Sequence, residues 1–309
     1  MTTEPQAHYP DKTHDLDKPY NLDKRRVRRA FEDSAARYDE FAVLQREVAR
    51  RLLERLDVLR IRPATIVDVG AGTGQATGEL LRRYRGSRVL ALDVAMAMLR
   101  KSARAGNWRR RPSPVCGDAE SLPLAAGCVD MIYSSLTLQW CNDLERALRE
   151  MRRVLKPDGV LLFTTVGPDT LKELRASWAE ADAYAHVNGF IDMHDVGDAV
   201  MRAGFADPVM EMEMMCLTYP GVPQLMHDLK GLGARNNMQG RPRGLTGRQR
   251  YQRAERAYER FRTPEGVLPA SYEIIYGLAW AGRDRQVAQG AGGETLIPVS
   301  SIGRRTQKR

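Results

Sequence analysis

Three aspartates fall 25 residues apart, at Asp68, Asp93 and Asp118. The first sits in "VDVGAGTG", Val67 to Gly74, with glycines at Gly70, Gly72 and Gly74. Glycine lets a backbone adopt left-handed conformations and approach a ligand closely. A pyrophosphate would be repelled by Asp68, and the dinucleotide fingerprint GxGxxG fails at its last glycine, where Gln75 stands. A ligand with a cationic amino-acid end suits the carboxylate instead. S-adenosylmethionine carries an ammonium and a sulfonium and no phosphate. Asp93 can accept hydrogen bonds from both ribose hydroxyls. Asp118, with Ala119 beside it, can take the adenine amino group. A glycine turn alone could be structural, but the turn with two further acids at strand ends is specific.

These residues converge only if the chain repeats one strand and one helix per 25-residue step. The pattern predicts this. "TIVDVG", "RVLALDV", "PVCGDAE", "CVDMIYSS" and "GVLLFTTV" read as strands, and helices are expected near Thr73–Tyr84, at "AMAMLRKSARA" and at "LERALREMRRVL". Apolar strands alternating with helices argue a doubly wound, mostly parallel α/β sheet, Rossmann-like, with the ligand at its carboxyl edge. "KPDG" is expected as a turn feeding the last of these strands. Upstream, Val27 to Leu59 reads as one long helix, stopped by Pro63. Downstream, "TLKELRASWAEADAYAH" and "MHDVGDAVMRAGF" read as helices and "PVMEMEMMCLTY" as a strand. "ASYEIIYGLAWAG" is expected as a last, antiparallel strand at the sheet end. The organisation expected is a flexible arm (1–24), a helical cap (25–62), a nucleotide-binding core (63–166), a C-terminal half with a substrate lid and basic segment (167–282), and a basic tail (283–309).

The chain has 309 residues and a net charge of +9. The window Leu229–Arg262 holds ten Lys or Arg against two Glu, and "KRRVRR" covers Lys24–Arg29. Such patches attract acidic partners over long range. No apolar run reaches the roughly 20 residues that a membrane span needs, and the polar N-terminus lacks the apolar segment of a secretory signal. The four cysteines show no CxxC pair and the five histidines no HxxxH-type pair, so reduced thiols, no metal and a cytoplasmic location are expected.

The segment after the fourth strand, "YSSLTLQWCND", should face the transferred methyl. It lacks the Asn/Asp-Pro-Pro-aromatic motif of nucleic-acid amino methyltransferases and a Pro-Cys nucleophile. Gln139 and Trp140 are expected as walls of the site, and Cys141 as packing.

"AFEDSAARYDEFAVLQREVARRLL", "GDAESLPL", "LTLQWCNDLERALREMRRVLKP", "LKGLGARNNMQGRPRGLTGRQR" and "YEIIYGLAWA" together resemble the malonyl-acyl-carrier-protein O-methyltransferases of biotin synthesis. The resemblance spans roughly Val27–Ala281. It implies a class I methyltransferase that esterifies the free carboxylate of a malonyl thioester, on an acyl-carrier protein or coenzyme A. A malonyl half-thioester is almost wholly ionised at neutral pH, so the nucleophile needs no general base. Consistently, no Ser-His or Cys-His arrangement stands out.

With that substrate, Tyr38 in "RYDEF" is expected to cap the site and donate to the carboxylate. Gln45 is a weaker candidate, and His194 is expected to cap or pack against its helix. Lys230, Arg235, Arg241, Arg243 and Arg248, with Arg250, are expected to supply counter-charge to an acidic carrier and its phosphate-bearing arm. A similar fold with arginine-hydroxylase activity is disfavoured, because a protein arginine would prefer acidic walls. An RNA methyltransferase is weakly supported, since the basic window offers Tyr251, Tyr258 and Phe261 at helical spacing rather than a stacking platform. A non-catalytic assembly protein fits poorly with intact Asp68, Asp93 and glycines.

Overall fold

The computed structural model describes residues 21–234, 236–238, 246–282, 288–289 and 295–296. Seven strands form the main sheet: β1 (Thr65–Val69), β2 (Arg88–Asp93), β3 (Ser113–Cys116), β4 (Val129–Ser135), β5 (Leu155–Val166), β6 (Ala206–Tyr219) and β7 (Leu268–Trp280). Their order is β3-β2-β1-β4-β5-β7-β6. The first five are parallel, and β7 runs antiparallel to both β5 and β6. The last strand of this sheet in sequence is therefore antiparallel as expected, but it is not at the sheet end. β7 is inserted between β5 and β6, and β6 forms the edge. Burial explains the exchange. Seven of the eight residues Ser271–Leu278 are apolar or small, and most of β7 is buried on both faces, as an interior strand requires. β6 is half-exposed along nearly its whole length.

The helices before the sheet are α1 (Lys24–Ser34), α2 (Tyr38–Phe41) and α3 (Val43–Glu54), the last running into a 3₁₀ turn at Arg55–Val58. This corrects the single long helix. The chain leaves helical geometry at Arg37 (φ −112°, ψ 2°) and Ala42 (φ −78°, ψ 43°). Apolar periodicity cannot register such breaks, because each short helix keeps its own buried stripe: Val27 and Ala30 in α1, Leu44, Val48 and Leu52 in α3. The breaks turn Tyr38 inward.

Next come α4 (Gln75–Arg83), α5 (Met96–Ser102), α6 (Leu144–Val154), α7 (Lys172–Ala179) and α8 (Met193–Arg202). Helix α6 shows how the sequence dictates an element. Its buried residues Leu144, Ala147, Leu148, Met151 and Val154 recur at helical spacing, and the Asp143 carboxylate accepts from the Arg146 N–H at 2.8 Å. A cap of this kind stabilises a helix by about 1 kcal/mol. Two further helices are α9 (Val222–Gly231), which lies outside the elements expected from the sequence, and α10 (Arg248–Tyr258), where Tyr251 and Tyr258 fall at the helical spacing noted in the basic window. Tyr258 of α10 is fully buried and donates to the Pro269 carbonyl at 2.9 Å. It is core, not a base-stacking surface. β8 (Ala288–Gln289) and β9 (Thr295–Leu296) form a separate two-stranded ladder.

Helices cover both faces of the sheet. α3, α4, α7, α9 and α10 pack on one through Val48, Leu80, Trp178, Leu225 and Tyr258. α6 and α8 pack on the other through Leu148, Met151, Val196 and Val200. "KPDG" is folded into β5 rather than preceding it. Its register jumps from Val129↔Leu155 to Met131↔Val160, and Asp158 takes a φ of +61°. Among the described residues no helix is long and apolar enough to cross a membrane.

Candidate active site

The order β3-β2-β1-β4 places a switch point between β1 and β4, where chain connections diverge and ligands bind at the carboxyl ends of strands. A cavity opens there. Asp68, Gly70, Gly72, Asp93, Asp118 and Ala119 line it. So do Tyr38, Gln45, Gln139 and Trp140. The chain thus brings the acids, two glycines and the three proposed methyl-site residues to one place.

The glycine turn is held against the sheet. The N–H groups of Gly70 and Ala71 both donate to the Leu92 carbonyl, at 2.7 and 2.9 Å. All three glycines have positive φ, +75°, +54° and +91°. Their roles differ. A Cβ on Gly70 would lie 1.9 Å from the Thr137 hydroxyl, and one on Gly74 2.6 Å from the Ser102 Cα. Those two are required by packing, and Gly74 does not line the cavity. At Gly72 the nearest atom to such a Cβ is its own turn's Gly70 carbonyl oxygen at 4.0 Å. That open space is what close approach of a ligand needs.

Asp93 accepts from the Gly72 N–H at 2.9 Å and the Ala95 N–H at 2.8 Å, one bond to each oxygen. Burial raises its pKa, and these backbone donors oppose the rise. Asp68 is 2% exposed and accepts from the Thr77 hydroxyl at 2.6 Å. Burial pushes its carboxyl up to about 7, with the Thr77 bond opposing and the Asp93 charge adding to the rise. Asp118 is engaged by Lys24, whose ammonium lies 3.1 Å from its carboxylate and 3.0 Å from Glu120.

Lys24 has no cue in the sequence as a site residue, and it begins the roof. Helix α1 lies across the cavity with Val27 and Phe31 facing in. Phe31 meets Trp140 edge-on at 5.2 Å between ring centroids. Glu32 accepts from the Met96 and Ala97 N–H groups at 2.7 and 2.8 Å, placing a negative charge at the N-terminus of α5. Asp39 accepts from the Thr73 hydroxyl at 2.6 Å. Leu22 is buried and pairs with Met238 in an isolated antiparallel bridge, and Leu232 and Ala234 complete the wall. Sequence offers no cue to this wall beyond the apolar residues on either side.

Tyr38 is half-buried over the cavity. Burial raises its pKa further above the usual phenol range, helped by the charges of Asp93 and Asp39, so its hydroxyl stays a donor. The Gln139 amide donates to the Leu136 carbonyl at 2.7 Å, and its buried Oε1, like that of Gln45, has no partner among the described residues. Leu136 itself lines the cavity at φ +51°, a strained backbone position that no sequence pattern signals. Burial pushes the Cys141 thiol up to about 12, which removes it as a nucleophile at neutral pH. His194 is 87% exposed and bonds to the helix-capping Asp192 at 2.9 Å, away from the cavity. Lys230 and Arg248 are exposed and do not line it. Arg235, Arg241 and Arg243 lie outside the described residues.

Residues 67–163 match the methyltransferase domain family. A malonyl-[acyl-carrier protein] O-methyltransferase of Halorhodospira halophila is 50% identical over 287 residues, covering 92% of this chain and 97% of its own. That of Laribacter hongkongensis is 52% identical over 277 residues, covering 86% and 93%. Among solved structures, a Bacillus halodurans protein described as a methyltransferase superposes with a TM-score of 0.54 at 18% identity, over 76% of this chain and 99% of its own. That likeness shows the fold alone. Identity near one half across nine-tenths of the sequence shows more, and the chain belongs to the family of the malonyl-[acyl-carrier protein] O-methyltransferases, enzymes built on the class I methyltransferase fold.

Proposed function

We propose that the protein methylates the free carboxylate of a malonyl thioester carried by an acyl-carrier protein, using S-adenosylmethionine, in biotin synthesis. The observation that carries this reading is one cavity that joins Asp68, Gly72 and Asp93 to Tyr38 and Gln139, in a chain whose relatives bear that name.

The residues fit the methyl donor. Asp68 is a buried carboxyl with a raised pKa and, among the described residues, no cation beside it, so an ammonium would favour its ionised form. Asp93 spends one bond per oxygen on the backbone, leaving lone pairs for two ribose hydroxyls. Asp118 can meet the adenine amino group beside its Lys24 bond. When bound, S-adenosylmethionine supplies a methyl group on a cationic sulfur that departs as a neutral thioether.

The chain's contribution is placement and a dry environment. The malonyl carboxylate is already an anion, so no residue need remove a proton. Charge disappears as an anion meets a sulfonium, and exclusion of water by Phe31, Trp140 and Leu232 favours that change. The Tyr38 hydroxyl would donate to one carboxylate oxygen and aim the other. The orphaned oxygens of Gln45 and Gln139 are acceptors for N–H or O–H groups of the bound pair. Alignment of this kind supplies up to about 7–11 kcal/mol. The four cysteines are free thiols, which supports a reducing, cytoplasmic setting.

Mass spectrometry of malonyl-acyl-carrier protein incubated with enzyme and S-adenosylmethionine tests the reading. One added methyl group on the carrier-bound malonyl is expected, and an unchanged mass would refute it. Tyr38→Phe should lower kcat with a malonyl thioester about tenfold or more while S-adenosylmethionine affinity changes little, since the hydroxyl acts on the substrate. Steady-state kinetics beside calorimetry separates the two effects, and an unaltered kcat/KM returns Tyr38 to packing.

The basic window is proposed to face the carrier's arm. Replacing Arg241, Arg243 and Arg248 together by Gln should slow reaction with carrier-bound malonyl and spare a short malonyl thioester. Raised salt should have the same effect on the wild type, because exposed charges are screened over about 8–10 Å. Rates on both substrates at two salt concentrations decide it, and an equal loss on both would put these arginines in the pocket or the fold.

A further inference from the structure

Three of the seven described cations of the basic window, Arg250, Arg260 and Arg262, are paired with acids inside the molecule. Arg250 faces Asp182 at 3.9 Å, Arg260 pairs with Glu180, and Arg262 pairs with Glu259 at 2.6 Å. A second stretch, nearer the sheet edge of β2 and β3, also carries unpaired charge. From Val94 to Gly117 the chain has six cations and no Asp or Glu. Arg110 is consumed by the fold, donating to the Leu81 and Tyr84 carbonyls at 2.7 and 2.9 Å, and Lys101 reaches the Ala36 carbonyl at 2.8 Å. Arg100, Arg104, Arg109 and Arg111 are exposed and have no acidic partner among the described residues.

Between these arginines stands Trp108, 78% exposed. It is displayed by a rigid turn. Asn107 and Arg110 exchange backbone hydrogen bonds at 3.0 and 3.1 Å, and the Asn107 side chain accepts from the Arg109 and Arg110 N–H groups, each at 3.0 Å. Gly106, at φ +89°, has no room for a side chain, since a Cβ would lie 2.3 Å from the Arg110 carbonyl oxygen. The Arg109 guanidinium stacks over the Trp108 ring at 4.4 Å. Intramolecular packing does not account for a tryptophan held out to solvent on so constrained a turn. Tryptophan and arginine are the residue types that dominate binding energy at protein interfaces, and prior ordering lowers the entropic cost of docking.

We infer that the Trp108 turn and the exposed face of α5 form the docking surface for the acidic carrier protein. The surface leads to the cavity. α5 contributes Met98 to the cavity lining and packs beside α1, which carries exposed Arg25 and Arg29 and whose Lys24 and Val27 line the cavity. An acidic helix laid from the C-terminal end of α5 along the following turn would meet Arg100, Arg104, Arg109 and Arg111 and seat an apolar side chain on Trp108. A single-stranded nucleic acid fits less well, because stacking platforms use successive aromatics and Trp108 is the one aromatic residue between Val94 and Gly117. The inference rests on the proposed function for the partner's identity.

Two variants test it: Arg100→Glu with Arg104→Glu, and Trp108→Ala. Titration of malonyl-acyl-carrier protein without S-adenosylmethionine measures docking apart from chemistry, and rates with a short malonyl thioester measure chemistry apart from docking. Both variants should bind the carrier at least tenfold more weakly and raise its KM by a similar factor. kcat should hold, rates with the short thioester should not move, and the charge-reversed variant should lose most of the salt dependence of carrier binding. Carrier affinity unchanged in both variants would overturn the inference. So would weakened binding of an RNA 20-mer with carrier binding intact. If the wild type binds the carrier but esterifies no malonyl thioester, the proposed function fails while the docking result still stands.

Discussion

Asp93→Ala should all but abolish turnover at ordinary S-adenosylmethionine concentrations. The carboxylate has two tasks in one place. It holds the Gly72 and Ala95 N–H groups, and it is proposed to accept from both ribose hydroxyls. Hydrogen bonds to a charged group contribute about 1.5–3 kcal/mol each. Loss of two such bonds weakens the cofactor about a hundredfold or more, and release of the Gly72 loop adds to that. Calorimetric titration gives the affinity and thermal unfolding reports whether the fold survives. A folded Asp93→Ala variant that binds S-adenosylmethionine as the wild type does would remove Asp93 from the site.

Asp68→Asn should trade affinity for stability, with a sign that depends on pH. The folded carboxyl has its pKa raised from 3.8 to about 7 by burial. Between those values the folded state holds a proton that the unfolded chain has released, so folding stability falls as pH rises through this window. Above it both states are ionised and the penalty is constant, on the order of 4 kcal/mol as an upper bound. Asparagine carries no such penalty. The variant should therefore have a higher Tm than the wild type at pH 8, with the difference fading towards pH 4. Binding reverses the balance. A cationic amino group beside Asp68 stabilises the carboxylate, so wild-type affinity should rise from pH 6 to pH 8 with release of a proton, until the ligand's own amine deprotonates. The Asp68→Asn variant should bind at least tenfold more weakly and release no proton from this position. Calorimetry in two buffers of different ionisation enthalpy measures that proton, and a flat wild-type profile would contradict the assignment.

The sequence shows the local rules and hides the long-range ones. Asp68, Asp93 and the glycines follow from a repeat of one strand and one helix, so their meeting at the sheet edge can be read from spacing. Gly70 and Gly74 look equivalent to Gly72, yet only the fold reveals that the first two are pressed against Thr137 and Ser102. The place of β7 differs from the expected one because strand order is a tertiary property, although its burial on both faces is written in "YEIIYGLAW". Breaks at Arg37 and Ala42 are invisible because short helices in series keep one apolar rhythm. Lys24 and Leu136 have no signal. One acts through an acid 94 residues away in sequence, the other through a strained φ of +51°.

The bridge between Leu22 and Met238 also has a meaning in time. Local contacts form early, while contacts between distant parts of a chain wait for loop closure. The sheet edge that carries Asp68 and Asp93 can assemble from the first half of the polypeptide. Its cover is completed later: Phe31 can already rest on Trp140 and Met98, but Leu22 and Val27 pack with Met238, and Leu232 and Ala234 supply part of the cavity wall. During synthesis, which proceeds from the N-terminus, the nascent enzyme thus carries a cleft with one wall missing until three-quarters of it has been made. A chain cut short before Met238 would lack both that wall and the interior strand β7 that pairs with β5, so it should show no methyl transfer.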